Sequence, residues 1–270
     1  MKKCTIFYVS DGTAITAETV GHSLISQFRG IKFRQIRIPF IDSVERAQTA
    51  ANQIQSAKGD FQPLVINTVV DIELRRIIHS GGGLKLDPFN RLLREIEDNL
   101  QIKRSPVVGR AHGIVDSKAY TARIDATNYA LLNDDGVSVD YDDADLILLG
   151  VSRSGKTPTC LYLALQYGVK AANYPLTEED LDRLKIPDNI LKHKEKVYGL
   201  TIDPFRLSQI RAERRAGTQY SNLRQCQREV SDAESMFLKN GIQFLSTTDT
   251  SIEEISGKVL VALNLNNRLH

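Results

Sequence analysis

Two glycines, a lysine and a hydroxyl residue stand at fixed spacing in Gly150-Val151-Ser152-Arg153-Ser154-Gly155-Lys156-Thr157. Each type has a role if the ligand is a phosphate. Glycines let the main chain curl so that successive N–H groups face anionic oxygens. Lys156 offers a cation to terminal phosphate charge, and the Thr157 hydroxyl can fill a Mg²⁺ coordination position. A helix that starts here aims its positive end at the same anion. The spacing fits G-x-x-x-x-G-K-[ST], the phosphate-binding P-loop. Residues Gly150, Val151, Ser152, Arg153, Ser154, Gly155, Lys156 and Thr157 are therefore read as a nucleotide-phosphate cradle. Arg153 either forks onto a phosphate or points to solvent, and spacing does not choose between the two.

Phosphoryl transfer also calls for a carboxylate, as metal ligand or as base. Asp203 closes the apolar run 197–202 and is one candidate. It also precedes Pro204 and a helical pattern, so an N-cap explains it as well. Asp135, within Asp134-Asp135-Gly136, is the second candidate, with an ordinary turn as its alternative. Arg206, Arg211, Arg214 and Arg215 crowd the stretch after Asp203. Leu207 and Ile210 mark a core face there, which leaves Arg206, Arg214 and Arg211 to share the other side. Beside a phosphate loop this reads as a phosphate-handling surface; pairing with Glu213 and Glu229 on a solvated face is the alternative. Ser10-Asp11-Gly12-Thr13 offers either a further anion pocket or a helix cap. His22, His79 and His112 lack metal-ligand spacing, and His112 is the one suited to an acid–base test. Gly81-Gly82-Gly83 is read as a helix stop rather than a cradle.

The elements that must hold these residues alternate from end to end. Strand-like runs at 5–10, 33–38 and 64–67 are interleaved with helical patterns at 14–28, 42–57 (capped by Asp42), 71–79 and 86–100, the last with Leu92, Leu93, Ile96 and Leu100 inward. A helix at 117–132 follows. Strands at 144–149, 169–172, 197–202 and 242–245 then alternate with helices at 158–167, 177–184, 204–215, 221–239 and 250–264. This alternation predicts an α/β fold with parallel sheets. No repeat of fixed period is visible. The expected organisation is an N-terminal open parallel α/β domain (1–105), a connecting helical or linker segment (106–142) and a P-loop kinase-like α/β domain (143–270). The junction is placed at 103–116, which is poor in apolar periodicity and holds Pro106, Gly109 and Gly113.

Composition narrows the partners. The chain has 270 residues, 41% hydrophobic and 25% charged, which excludes a disordered or fibrous protein. Its formal charge of +2 does not advertise nucleic acid or a membrane. The longest apolar run, 146–151, falls far short of the roughly 20 residues that span a bilayer. The apolar stretch after Lys2 and Lys3 is likewise too short for an export signal. Cys4, Cys160 and Cys226 are scattered, which argues against a disulfide framework. A soluble cytoplasmic chain is the expectation.

Several segments together resemble a known family: VSDGTAITAE near the start, DDG before the loop, GVSRSGKTPT with LYLALQYGVKAANYPL after it, and GLTIDPFRLSQIRAERR followed by LRQCQREV. They are similar to the bifunctional regulatory proteins of PEP synthase and pyruvate, phosphate dikinase, from about Ile6 to about Ile255. The dikinase branch typically has serine where this chain has Gly155, so the chain looks like the PEP synthase branch. The resemblance implies a kinase that phosphorylates a threonine of its partner enzyme with ADP as donor and so inactivates it. It also implies the reverse activity, in which inorganic phosphate attacks the phosphothreonine and releases pyrophosphate. The implied partner is PEP synthase with its catalytic histidine phosphorylated and the target threonine nearby. On this reading Lys156 and Mg²⁺ held by Thr157 spread charge, and Asp203 or Asp135 takes the threonine proton. Arg153 or the basic helix steadies inorganic phosphate. The competing class is an ATP-dependent small-molecule P-loop kinase, and the oligomeric state, a homodimer included, stays open.

Overall fold

Short apolar segments in the first part of the chain pair side by side, and each is followed by a helix. The order is β1 (Lys2–Val9), α1 (Ile15–Ile25), β2 (Ile31–Ile38), α2 (Val44–Gln55), β3 (Leu64–Asn67), α3 (Ile72–Ser80), β4 (Leu84–Leu86) and α4 (Asn90–Leu100). All four strands run parallel in the order β2-β1-β3-β4. Ile6, Phe7, Tyr8 and Val9 of the central β1 are buried, as befits a strand covered on both faces. The computed structural model describes residues 2–57, 59–103, 117–134, 141–215 and 217–265. The chain divides into two compact units, Met1–Val115 and Asp116–His270.

The second unit comprises α5 (Ser117–Leu132), β5 (Leu146–Gly150), α6 (Lys156–Tyr167), β6 (Ala171–Pro175), α7 (Glu178–Asp182), α8 (Asp188–Leu191), β7 (Val197–Thr201), α9 (Pro204–Arg214), α10 (Leu223–Asn240), β8 (Phe244–Ser246) and α11 (Ile252–Ala262). Its sheet is parallel in the order β6-β5-β7-β8. Alternate residues of β5 feed two separate cores. Leu146 and Leu148 pack with Cys160 and Leu163 of α6 and Val259 of α11. Ile147 and Leu149 pack with Leu207 of α9 and Val230 and Phe237 of α10. Burying each such side chain contributes about 1.5–3 kcal/mol before the entropy of ordering it. In this strand order the direction of winding reverses between β5 and β7. A crevice therefore opens at the carboxyl ends of those strands, where ligands of open α/β sheets collect.

Three local expectations need correction. The cap of α2 is Ser43, whose Oγ accepts from Arg46 N at 3.3 Å, while Asp42 instead pairs with Arg46 Nη1 at 3.0 Å. The segment read as one helix from residue 86 opens with β4, a strand of three residues, too short to show alternation. In α4 three of the four residues expected inward face solvent, Leu92, Ile96 and Leu100 at 54%, 51% and 61% exposure, while Leu93 is half-buried. Amphipathic period marks an apolar stripe but does not supply the surface that covers it. The triple glycine ends α3 and enters β4; a Cβ on Gly81 would lie 2.4 Å from Ala51 O. Among the described residues no helix is long and apolar enough to cross a membrane.

Candidate functional site

The Gly150–Thr157 loop leaves the end of β5 and enters α6 at Lys156. Glycine is required at its start, because a Cβ on Gly150 would lie 2.3 Å from Leu200 O of β7. The turn into the helix is left-handed twice, at Arg153 (φ 76°) and at Gly155 (φ 86°). Gly155 carries that conformation freely; for Arg153 it costs on the order of 1 kcal/mol. Lys156 is only 4% exposed, and its Nζ donates to Val151 O at 2.8 Å. Burial pushes its ammonium down to about 7, and nearby Arg211 and Arg153 add to the push while Asp134 opposes it. A cation held out of water at the foot of an uncapped helix N-terminus is poised for an anion. Ser154 Oγ, fully buried, has no hydrogen-bond partner among the described residues.

Across the loop, Asn173 of β6 gathers the Thr157 end. Its Nδ2 lies 3.1 Å from Thr157 Oγ1, 2.9 Å from Asp134 Oδ1 and 2.6 Å from Asp134 O. The Asn173 main-chain N–H donates to Asn133 O at 3.0 Å, which ties the end of α5 to β6. Asn173 Oδ1 is buried without a partner among the described residues. Asp134, Lys156, Thr157, Asn173, Arg153 and Arg214 all line one cavity of about 420 Å³. A second, of about 750 Å³, shares Ser152, Arg153 and Arg214 with it and adds Arg215, Tyr220 and Glu178.

The four arginines of the basic stretch therefore part company. Arg214 and Arg215 are exposed and line these cavities. Arg206 is exposed near Gln209 and lines neither. Arg211 is the correction: it is fully buried, not on a phosphate-facing surface. It follows Leu207 by four residues, so the helical period itself places it on the core face. Its Nη2 donates to Ser152 O (3.1 Å) and Glu229 Oε2 (2.7 Å), its Nη1 donates to Tyr220 O (3.1 Å), and its guanidinium lies 4.2 Å from the Tyr220 ring centre. Tyr220 Oη in turn meets Ser152 Oγ at 2.9 Å. Ser152 is thus gripped at both its carbonyl and its hydroxyl, and the loop rests on a buried ion pair.

Asp203 caps α9 by accepting from Arg206 N at 2.9 Å and lines a separate cavity of about 530 Å³ with Thr201, Glu234, Ser246 and Thr248. Asp135 and His112 lie outside the described residues. Ser10 and Asp11 are engaged within the first unit: Ser10 Oγ accepts from Gly12 N (3.1 Å) and Asp11 Oδ2 from Val70 N (2.7 Å). His22 stacks beside Tyr8, and His79 faces Asn67. Cys4, Cys160 and Cys226 are buried free thiols. Asn173 is the residue that sequence reasoning left without a role, while Asp134 belongs to the Asp134-Asp135-Gly136 triplet whose candidate was Asp135. An amide inside an otherwise apolar strand was the available signal.

Buried cation, unpartnered hydroxyl, curled main chain and a carboxylate together suit a ligand with a polyphosphate tail. The profile of the kinase/pyrophosphorylase family matches residues 6–260. A protein of Stenotrophomonas maltophilia (strain R551-3) is 53% identical over 267 residues, 98% of each chain. One of Xanthomonas campestris pv. campestris (strain B100) is 52% identical over 266 residues, covering 98% of this chain and 97% of its own. Both carry the name "Putative phosphoenolpyruvate synthase regulatory protein".

Proposed function

This chain belongs to the kinase/pyrophosphorylase family, and on that premise we propose that it is a bifunctional cytoplasmic regulator of PEP synthase. It phosphorylates a threonine of that enzyme from ADP and removes the phosphate with inorganic phosphate, releasing pyrophosphate. The observation that carries the reading is the buried Lys156, whose one hydrogen bond among the described residues is to the Val151 carbonyl. Lys156 lines the 420 Å³ cavity, where its charge suits an anionic ligand.

The main-chain amides of residues 150–157 hold the β-phosphate, and Lys156 spreads the charge that develops on its oxygens. The threonine hydroxyl attacks the β-phosphorus and AMP leaves. The hydroxyl proton goes to a carboxylate, for which Asp134 is the described residue best situated, beside Thr157 in the same cavity. Asp135 and Asp203 remain the other candidates, the latter already serving as a helix cap. In reverse, an oxygen of inorganic phosphate attacks the phosphothreonine phosphorus, and its proton passes to the departing threonine oxygen. Arg153, Arg214 and Arg215, around the second cavity, steady that phosphate.

Mg²⁺ is the metal such a reaction implies. The Thr157 hydroxyl, the Asp134 carboxylate and the unpartnered Asn173 Oδ1 make a hard-oxygen donor set that suits it. Thr157 would hold the ion, with Asp134 beside it where Asp135 or Asp203 takes the proton instead, and the ion when bound would supply charge neutralisation on the phosphate oxygens.

The test mixes the protein with phosphohistidine-bearing PEP synthase and β-labelled ADP, then locates the label by mass spectrometry. Label on a threonine is the expected result. Transfer only from ATP, or only to a small molecule, would replace the proposal with an ordinary P-loop kinase.

A further inference from the structure

The first unit holds a cavity, rimmed by basic side chains, that the proposed chemistry does not use. It measures about 460 Å³ and is lined by Ile72, Arg75, Arg76, His79, Ser80 and Lys85, from α3 and the edge strand β4. Arg75 is committed to the chain: its Nε and Nη2 donate to Val69 O at 3.1 and 2.8 Å, and its Nη1 pairs with Asp87 at 3.0 Å. Arg76 and Lys85 are exposed and have no hydrogen-bond or ion-pair partner among the described residues. Two cations sharing one cavity repel each other, and the pairing of Arg75 with Asp87 leaves that repulsion uncompensated.

His79 adds a donor of fixed orientation. Asn67 Oδ1 accepts from Val69 N at 2.9 Å, which turns Asn67 Nδ2 toward His79 Nε2 at 3.3 Å. The amide donates, so Nε2 is the acceptor and the imidazole proton sits on Nδ1. Burial, helped by the charges of Lys85 and Arg75, keeps the ring below its ordinary range and therefore neutral, with Asp87 opposing. Ile72, 70% exposed, supplies an apolar wall.

We propose that this cavity is a second anion site that takes a phosphate monoester, with Arg76 and Lys85 neutralising the dianion and His79 Nδ1–H orienting it. A dianion answers two unpaired cations, and three phosphate oxygens can use a guanidinium fork, an ammonium and an N–H donor together. The wall formed by Ile72 favours an ester, whose carbon side it can cover, over free phosphate. The ester is carried either by a phosphorylated side chain of a protein or by a free small molecule.

The test uses the full chain with ¹⁵N-labelled histidine, observed by NMR during titration with O-phosphoserine, with a phosphoserine pentapeptide and with its unphosphorylated form. Saturable movement of the His79 signals by the phosphorylated probes only is expected. Tighter binding of the peptide assigns the site to a protein, and equal binding to a small ester. Arg76→Gln with Lys85→Gln should weaken the response about tenfold or more. These side chains bond to nothing in the described structure, so the fold survives their replacement. Lys156→Ala should leave the response intact, which separates this site from the nucleotide loop. His79 signals that stay still, that move equally in the double variant, or that need Lys156 would overturn the proposal.

Discussion

Lys156 sets the first two expectations at the scale of single residues. Replacing it with methionine keeps the stem and removes the charge, and both directions of phosphoryl transfer should fall about 10²–10³-fold. An unchanged rate of pyrophosphate release would refute a shared site. The same side chain gives a pH dependence with a defined sign. Free Lys156 titrates at about 7, and a bound polyphosphate stabilises its charged form and raises that value. Above pH 7 binding must therefore take up a proton, and affinity should decline by up to about tenfold per pH unit. Below 7 the lysine is already charged and this contribution vanishes. Calorimetry in buffers of different ionisation enthalpy measures the uptake directly, and Lys156→Arg, always protonated, should lack it. Arg211 makes a third case. Arg211→Leu strands Glu229 beside the loop and should cost about 3–5 kcal/mol in denaturant unfolding, much of it recovered by adding Glu229→Leu. The two residues differ in how they could be read. The lysine belongs to a contiguous pattern, whereas the partners of Arg211 come from 18 and 59 positions away. Its spacing from Leu207 carried the signal of burial, but the reading of the basic stretch put it on the opposite face.

At the scale of elements, strand and helix order was legible wherever a segment is long enough to carry its own period or apolar run, which the short β4 and α8 are not. What else was not legible came from pairing between segments. Asn173 meets Thr157 and Asp134 only because β6 lies in register beside β5, with Asn173 opposite Leu148. Nothing within either segment encodes that neighbour. The outward face of α4 has the same origin, since an apolar stripe is local and its cover is not. The two loop glycines separate these kinds of constraint. Gly150→Ala pushes a Cβ against the β7 main chain at Leu200, where no flexible group can yield, and should cost about 1–3 kcal/mol and slacken the loop. A Cβ on Gly155 meets nothing nearer than 3.9 Å, so Gly155→Ser bears chiefly the left-handed backbone penalty of about 1 kcal/mol. Thermal unfolding of the two variants should rank them in that order, and a Gly150→Ala protein as stable as the parent would discredit the strand packing described.

For the whole molecule, each unit repeats one strand order, β2-β1-β3-β4 and β6-β5-β7-β8, although the sequence shows no repeat. Topology survives where residue identity does not, since parallel winding asks only for alternating strands and helices. Each unit also owns its cores: Phe7, Ala50 and Ile78 cluster in the first, Leu149, Val230 and Phe237 in the second. The described parts of the proposed nucleotide site, Asp134, the Gly150–Thr157 loop, Asn173 and Arg214, all belong to the second. A fragment spanning residues 117–270 should therefore fold and bind ADP within about threefold of the full chain, under about 0.7 kcal/mol of difference. The phosphate-ester response assigned to Arg76, Lys85 and His79 should be missing from it. Phosphorylation of the protein substrate tests the units together: if the first contributes recognition of a phosphorylated partner, the fragment binds nucleotide yet transfers phosphate poorly. A folded fragment that fails to bind ADP would mean that the first unit completes the nucleotide site, contrary to the assignment of every described lining residue to the second.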